Sequence, residues 1–166
     1  MEALAKPREK TEKGKRKMQH IKSITYYIRN CYEDVKPAYE QIGLYPNKRL
    51  LEYKSPDLLG SIVNFDNALH ALLFRQLVDA YEKQDFDGAD HHQSFSTELQ
   101  FEKWARKAHF CDEDVTWEIA FNHDSGRFEK YICCGSAPVP TVLEEITRAI
   151  KERYPQLNEL QEGDCR

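Results

Sequence analysis

The residues of this 166-residue chain best suited to chemistry are its five cysteines and six histidines. If segments 115–121 and 127–133 pair as a hairpin turning near Asp124, Val115 falls opposite Cys133. His109, Cys111, Cys133 and Cys134 then gather at the open end of the ladder. Three thiols and an imidazole form a donor set suited to zinc. Against that reading, a vicinal Cys133–Cys134 pair is a poor chelate and the usual C-x₂₋₄-C spacing is absent. Free cysteines also bury readily as small apolar side chains. The expectation is therefore no metal and no cofactor, with this quartet the metal site to check.

Asp85, Asp87 and Asp90 around Gly88 give part of an oxygen-ligand loop, and His91–His92 follow. The spacing fails the twelve-residue calcium loop, because Gly88 directly follows the second aspartate and no glutamate stands at position twelve. A solvated linker accounts for this stretch. For nucleophilic catalysis, Cys111, Cys133 or Cys134 would need His109 or His123, and no G-x-S-x-G or cysteine-protease signature surrounds them. Phosphate-cradling glycine loops and the zinc-deaminase pattern are also missing. His70, flanked by apolar residues, reads as a satisfied helix-flank histidine. An enzyme without a recognisable motif is the third reading of function, behind the two that follow.

Tyrosine is the more informative residue. Tyr26, Tyr27, Tyr32, Tyr39, Tyr45 and Tyr53, six of nine, fall within 28 residues beside Arg29, Lys48 and Arg49. Tyrosine joins a large apolar ring to a polar tip and is enriched at protein interfaces and their hot spots. Six are too many to hide in one small core, so some must reach solvent. With the acidic residues Glu82, Asp85, Asp87 and Asp90, they suggest a protein-binding regulator or inhibitor of the immunity, host-factor-antagonist or adaptor type. Its partner would be another protein, and a basic one suits the acidic display best.

The formal net charge of −4 hides an asymmetry. Residues 1–22 carry eight Lys/Arg against three Glu, and the remaining residues carry 16 against 25 Asp/Glu. Lys13, Lys15, Arg16 and Lys17 could neutralise phosphates, so the alternative reading is a nucleic-acid-associated factor working through this arm. The acidic body opposes it.

These residues must be positioned by a small fold. No apolar run reaches the roughly 18 residues of a membrane span. Residues 1–19 lack an apolar core, so no secretory signal is expected, and free thiols in the cytoplasm (or a nucleus) follow. Residues 1–17 read as a disordered basic arm, 18–157 as one α+β domain and 158–166 as a flexible tail. The domain divides into a helical part 18–84, a linker 85–96 and a helix–hairpin–helix part 97–155.

Ser55, Pro56 and Asp57 look like a helix start, and Leu58, Ile62, Phe65, Leu69, Leu72, Leu73, Leu77 and Tyr81 recur every three or four residues. That spacing predicts a long central helix over 56–84. Residues 18–35 fit a helix too, although 23–29 alternates and is the best candidate for a third strand. Pro37 and Gly43 bracket a short helix at 37–42. A helix at 97–108, the hairpin at about 115–133, and a T-x-x-E capping box at Thr141 and Glu144 complete the reading. The expected class is α+β, mainly helical, with one antiparallel hairpin packed on helices.

Overall fold

Ile24, Tyr26 and Ile28 alternate with Thr25, Tyr27 and Arg29, and this period of two, rich in β-branched and aromatic residues, is the pattern of a strand. In a computed structural model of the chain, Ile21–Arg29 is strand β1 and lies in the middle of a seven-stranded antiparallel sheet. The structure describes residues 21–29, 38–56, 62–63, 67–107, 115–135, 138–155 and 157. Along the chain, β2 (Tyr39–Tyr45), β3 (Leu50–Lys54) and β4 (Ile62–Val63) follow, then helix α1 (Asn67–Glu82), β5 (His91–Phe95) and helix α2 (Glu98–Lys107). Strands β6 (Trp117–His123) and β7 (Phe128–Cys133) and helix α3 (Thr141–Arg153) complete the order. The strands lie side by side as β4-β3-β2-β1-β6-β7-β5.

This sheet overturns the expectation of a mainly helical fold with one hairpin. The segment 18–35, favoured as helix, supplies β1, and the short helix placed at 37–42 is strand β2. The long helix placed at 56–84 begins only at Asn67, and Ile62–Val63 upstream pair with Leu51 and Glu52 of β3. Within the stretch expected to link two halves, β5 pairs with β7 from His91↔Ile132 to Phe95↔Phe128. The hairpin forms in a register offset from the one expected, with Trp117, not Val115, opposite Cys133. The physical reason is nonlocal. A period-two pattern becomes a strand only when neighbours satisfy its backbone, and β1 finds them at β2 and at β6, about a hundred residues downstream.

Pleating sends alternate side chains to opposite faces. Ile24, Tyr26, Ile42, Leu44, Leu51, Tyr53, Trp117, Ile119, Phe121, Tyr131 and Cys133 face α1 and α3, meeting Leu73, Leu77, Leu143, Ile146 and Ile150 in the main core. Each such fully buried aliphatic side chain contributes about 1.5–3 kcal/mol. The second core is smaller. Phe101 of α2 packs with Ala120, Phe128, Ile132 and Val115 on the other face, flanked by Phe95, Trp104, Ala105 and Tyr27.

Local signals set the helix ends. Thr97 caps α2, accepting from the Gln100 backbone N–H at 3.2 Å, while the Gln100 side chain accepts from Ser96. At α3, Thr141 is the first helical residue and Pro140 the cap, so no side-chain capping bond forms there. Helix α1 closes with the Asp85 N–H donating to Ala80 and the Gln84 N–H to Tyr81, with Gln84 at φ 62°. That is a Schellman closure with glutamine in the place usually given to glycine. No described helix is long and apolar enough to cross a membrane.

Candidate functional site

Helix α2 covers only the β6-β7-β5 side of its face, so Thr25, Tyr27 and Arg29 of β1 and Tyr39 and Gln41 of β2 lie on a part of the sheet that no described helix covers. Cross-strand pairing lines up Lys54, Gln41, Tyr27, Glu118 and Ile132 as one row across five strands. Arg29 and Tyr39 are opposite one another in the next row. The Tyr27 and Tyr39 rings are 5.6 Å apart, centroid to centroid, and tilted by 30°. Each is half-buried.

Tyr45 completes the tyrosine surface at the other end of β2. Its ring folds back over Gly43, where an added Cβ would lie 2.6 Å from the ring. The ring therefore fills the space a side chain would occupy, as aromatic residues do beside strand glycines. Lys48 stands 5.9 Å from the ring centre. Burial first, then the negative charges of Glu52 and Glu98, raise the Tyr45 hydroxyl above its ordinary pKa.

Two hollows lie on this face, the second of them against α2. One, of 380 Å³, is lined by Tyr27, Arg29, Tyr39, Gln41, Val115 and Glu118. The other, of 190 Å³, is lined by Phe101, Ala105, Arg106, Val115, Glu118, Lys130 and Ile132. Val115 and Glu118 line both. In the smaller one Lys130 is matched, with its Nζ 3.1 Å from Glu118 and 4.6 Å from the Phe101 ring centre.

On the opposite face, two polar clusters tie strands to helices. Tyr26 hydrogen-bonds Thr147 at 2.8 Å, and Glu40 accepts from Tyr53 at 2.7 Å and from Lys151 at 2.6 Å. Burial pushes the Tyr26 hydroxyl far above its ordinary pKa. The second cluster centres on Glu129, which is only 4% exposed. Its Oε1 accepts from Tyr81 at 2.7 Å and His123 at 3.0 Å, and its Oε2 from His92 at 2.6 Å.

One Arg127 nitrogen lies 3.1 and 3.5 Å from the two ring nitrogens of His123. A group near both must sit over the ring face, which leaves His123 Nε2–H free to donate to the carboxylate. The His92 ring stacks on Tyr131 at 3.9 Å, tilted by only 8°. Burial alone would raise the Glu129 pKa. The bonds from His123, Tyr81 and His92 and the charge of Arg127 outweigh it and hold the carboxyl at about 2. Burial, and then Glu129, push the Tyr81 hydroxyl up to about 12. With three donors from three elements on its two oxygens, Glu129 works as a clamp joining α1, β5, β6 and β7.

The structure divides the residues singled out from sequence. Tyr27, Tyr39 and Tyr45 share the open face, whereas Tyr26 and Tyr53 point into the main core. Tyr32 lies outside the described residues, as do Lys13, Lys15, Arg16, Lys17, His109 and Cys111. Glu82, Asp85, Asp87 and Asp90 are exposed on the α1 C-terminus and the turn leading into β5, apart from the tyrosine rows, and Asp90 accepts from the Cys134 backbone N–H at 2.7 Å. Cys133 and Cys134 are directed to opposite faces, into the main and the second core respectively. Among the described residues no group of three histidine, cysteine or acidic side chains is arranged to hold a metal ion.

Gln41, Val115, Glu118, Arg106 and Lys130 were not singled out in the sequence, and neither was the Glu129 cluster. The alternation of Tyr39, Gln41, Gly43 and Tyr45 against Glu40, Ile42 and Leu44 was the available signal for the first of these. No protein-family model matches the chain, and no curated protein and no solved structure matches it.

Proposed function

We propose that this chain is a protein-binding regulator or inhibitor that docks its partner on the open part of the sheet around Tyr27 and Tyr39. The observation that carries this reading is the pair of half-buried tyrosine rings, side by side on two central strands and lining a 380 Å³ hollow. Rings fixed on a sheet lose little conformational freedom on binding and offer wide contact area with a hydrogen-bonding tip, which is the chemistry of an interface hot spot. The acidic turn carrying Glu82, Asp85 and Asp87 is a separate surface. Its charge acts at a distance, on the encounter rate, more than through contact.

Affinity capture from native host extract tests this with three baits: the unmodified chain, a Tyr27→Ala/Tyr39→Ala variant, and a Leu72→Ala variant altered on the exposed side of α1. A partner retained by the first and third and lost from the second supports the reading. A partner retained equally by all three, or one released by nuclease treatment, refutes it.

A further inference from the structure

We infer that the outer edge of β5 takes an extended segment of a partner protein as an added strand, with Lys or Arg where that segment meets the acidic turn. This surface is separate from the tyrosine face and stands or falls apart from it. The direction of the backbone is the starting point. The His123 N–H donates to the Arg127 carbonyl, so odd-numbered residues of β7 turn their backbone groups toward β6 and even-numbered ones toward β5. The Cys134 N–H, donating to Asp90, follows the same parity. Phe128, Lys130 and Ile132 therefore bond Phe95, Gln93 and His91. The N–H and C=O groups of His92 and Ser94 point outward, and no described strand lies beyond β5.

Natural sheets blunt such edges with lysine, proline or a bulge. Strand β5 has no lysine or proline, and its register against β7 is unbroken. It is also held ready. His92 bonds Glu129 at 2.6 Å and stacks on Tyr131, Ser94 accepts from Arg127 at 2.9 Å, and Phe95 packs on Phe101. A strand fixed on both faces loses little freedom when a segment pairs with it, and main-chain bonds supply the affinity. Charge sets the orientation. Glu82, Asp85, Asp87 and Asp90 lie just upstream of β5, and none forms an ion pair with a described residue. Every pairing in this sheet is antiparallel, and antiparallel addition brings the C-terminal end of the segment beside those carboxylates. A nucleic acid would meet them with its phosphates.

A displayed library of random twelve-residue peptides, selected on the full chain, supplies the probe. Synthetic consensus peptides are measured by fluorescence polarisation against the unmodified chain and the Ser94→Pro, Ser94→Ala, Asp85→Asn/Asp87→Asn and Tyr39→Ala variants, each checked by thermal melting. Proline at 94 removes an outward N–H and leaves the β7 pairing intact, whereas alanine keeps that N–H. Site-resolved amide exchange on the unmodified chain follows His92 and Ser94 without any substitution. The expected consensus carries Lys or Arg toward its C-terminal end. Its affinity should fall about tenfold or more with Ser94→Pro and about threefold or more with the Asp85/Asp87 variant, and hold with Ser94→Ala and Tyr39→Ala. The His92 and Ser94 amides should exchange fast in the free chain and become protected by the peptide.

Peptides that bind the Ser94→Pro variant as tightly as the unmodified chain, or that leave both amides exchanging fast, overturn the inference. So do failure to enrich any peptide, a consensus without basic residues, and dimerisation of the chain itself that Ser94→Pro abolishes. Peptides that require Tyr39 but not the Ser94 N–H overturn it while supporting the tyrosine reading. The exchange result decides the matter where a variant folds poorly.

Discussion

Tyr27 and Tyr39 are diagonal neighbours across the β1–β2 ladder, Tyr27 opposite Gln41 and Tyr39 opposite Arg29, with ring centroids 5.6 Å apart. Each ring restrains the other, and while Tyr27 also flanks the second core, the half-buried Tyr39 belongs to neither core. Tyr39→Ala should lower stability by about 1 kcal/mol or less. Tyr53→Ala removes a fully buried ring and the hydroxyl donating to Glu40, and should cost about 3–5 kcal/mol. Urea unfolding of the two variants checks the contrast. Similar losses would mean that Tyr39 is a core residue.

The Glu129 clamp makes a pH-dependent contribution of definite sign. Its carboxyl is held at about 2 in the folded chain against an ordinary 4.5. A depressed carboxyl pKa stabilises the fold above the unfolded value, and the stabilisation fades as pH falls from 4.5 toward 2. At neutral pH it is on the order of 3 kcal/mol. Glu129→Gln should therefore be less stable than the parent at pH 7, and the two should converge by about pH 2. A constant gap across that range would contradict the clamp.

Gln84 occupies the left-handed closing position of α1 at φ 62°. A side chain there costs free energy that glycine does not. Gln84→Gly should raise stability by up to about 1 kcal/mol even though it adds flexibility to the unfolded chain. A thermal melt with no gain, or with a loss, would show that the glutamine side chain has another role.

Gly43 and Tyr45 should behave as a coupled pair. A methyl group at Gly43 collides with the far end of the Tyr45 ring at 2.6 Å. The ring can swing away, so Gly43→Ala should cost about 1 kcal/mol and not prevent folding. In the Tyr45→Ala background the same change should be neutral or favourable, since alanine is better suited than glycine to a strand. A double-mutant cycle measures this coupling.

What was legible in the sequence follows from which interactions are local. Val115, Trp117, Ile119 and Phe121 alternate cleanly, and Leu143, Ile146 and Ile150 recur every three or four residues, so the β6–β7 hairpin and α3 could be read directly. Ser96 and Thr97, both good capping residues, marked the start of α2. Gly43 was read as the end of a helix because a strand glycine under an aromatic ring leaves the same mark in sequence. His91–Phe95 shows almost no apolar alternation, and only pairing with β7 makes it a strand. The tyrosine cluster was visible, but its division between core and open face depends on strand parity. The Glu129 cluster joins residues from three strands and a helix, and no short motif encodes that arrangement.

The most direct test of the open sheet as a docking surface places a photo-crosslinking amino acid at Gln41, between Tyr27 and Lys54 in the cross-strand row, and in a parallel sample at Leu72 on α1. Irradiation in native host cells should give one discrete protein adduct from position 41 and none from position 72. An adduct from position 72 with none from position 41, or a nucleic-acid adduct at position 41, would contradict the account.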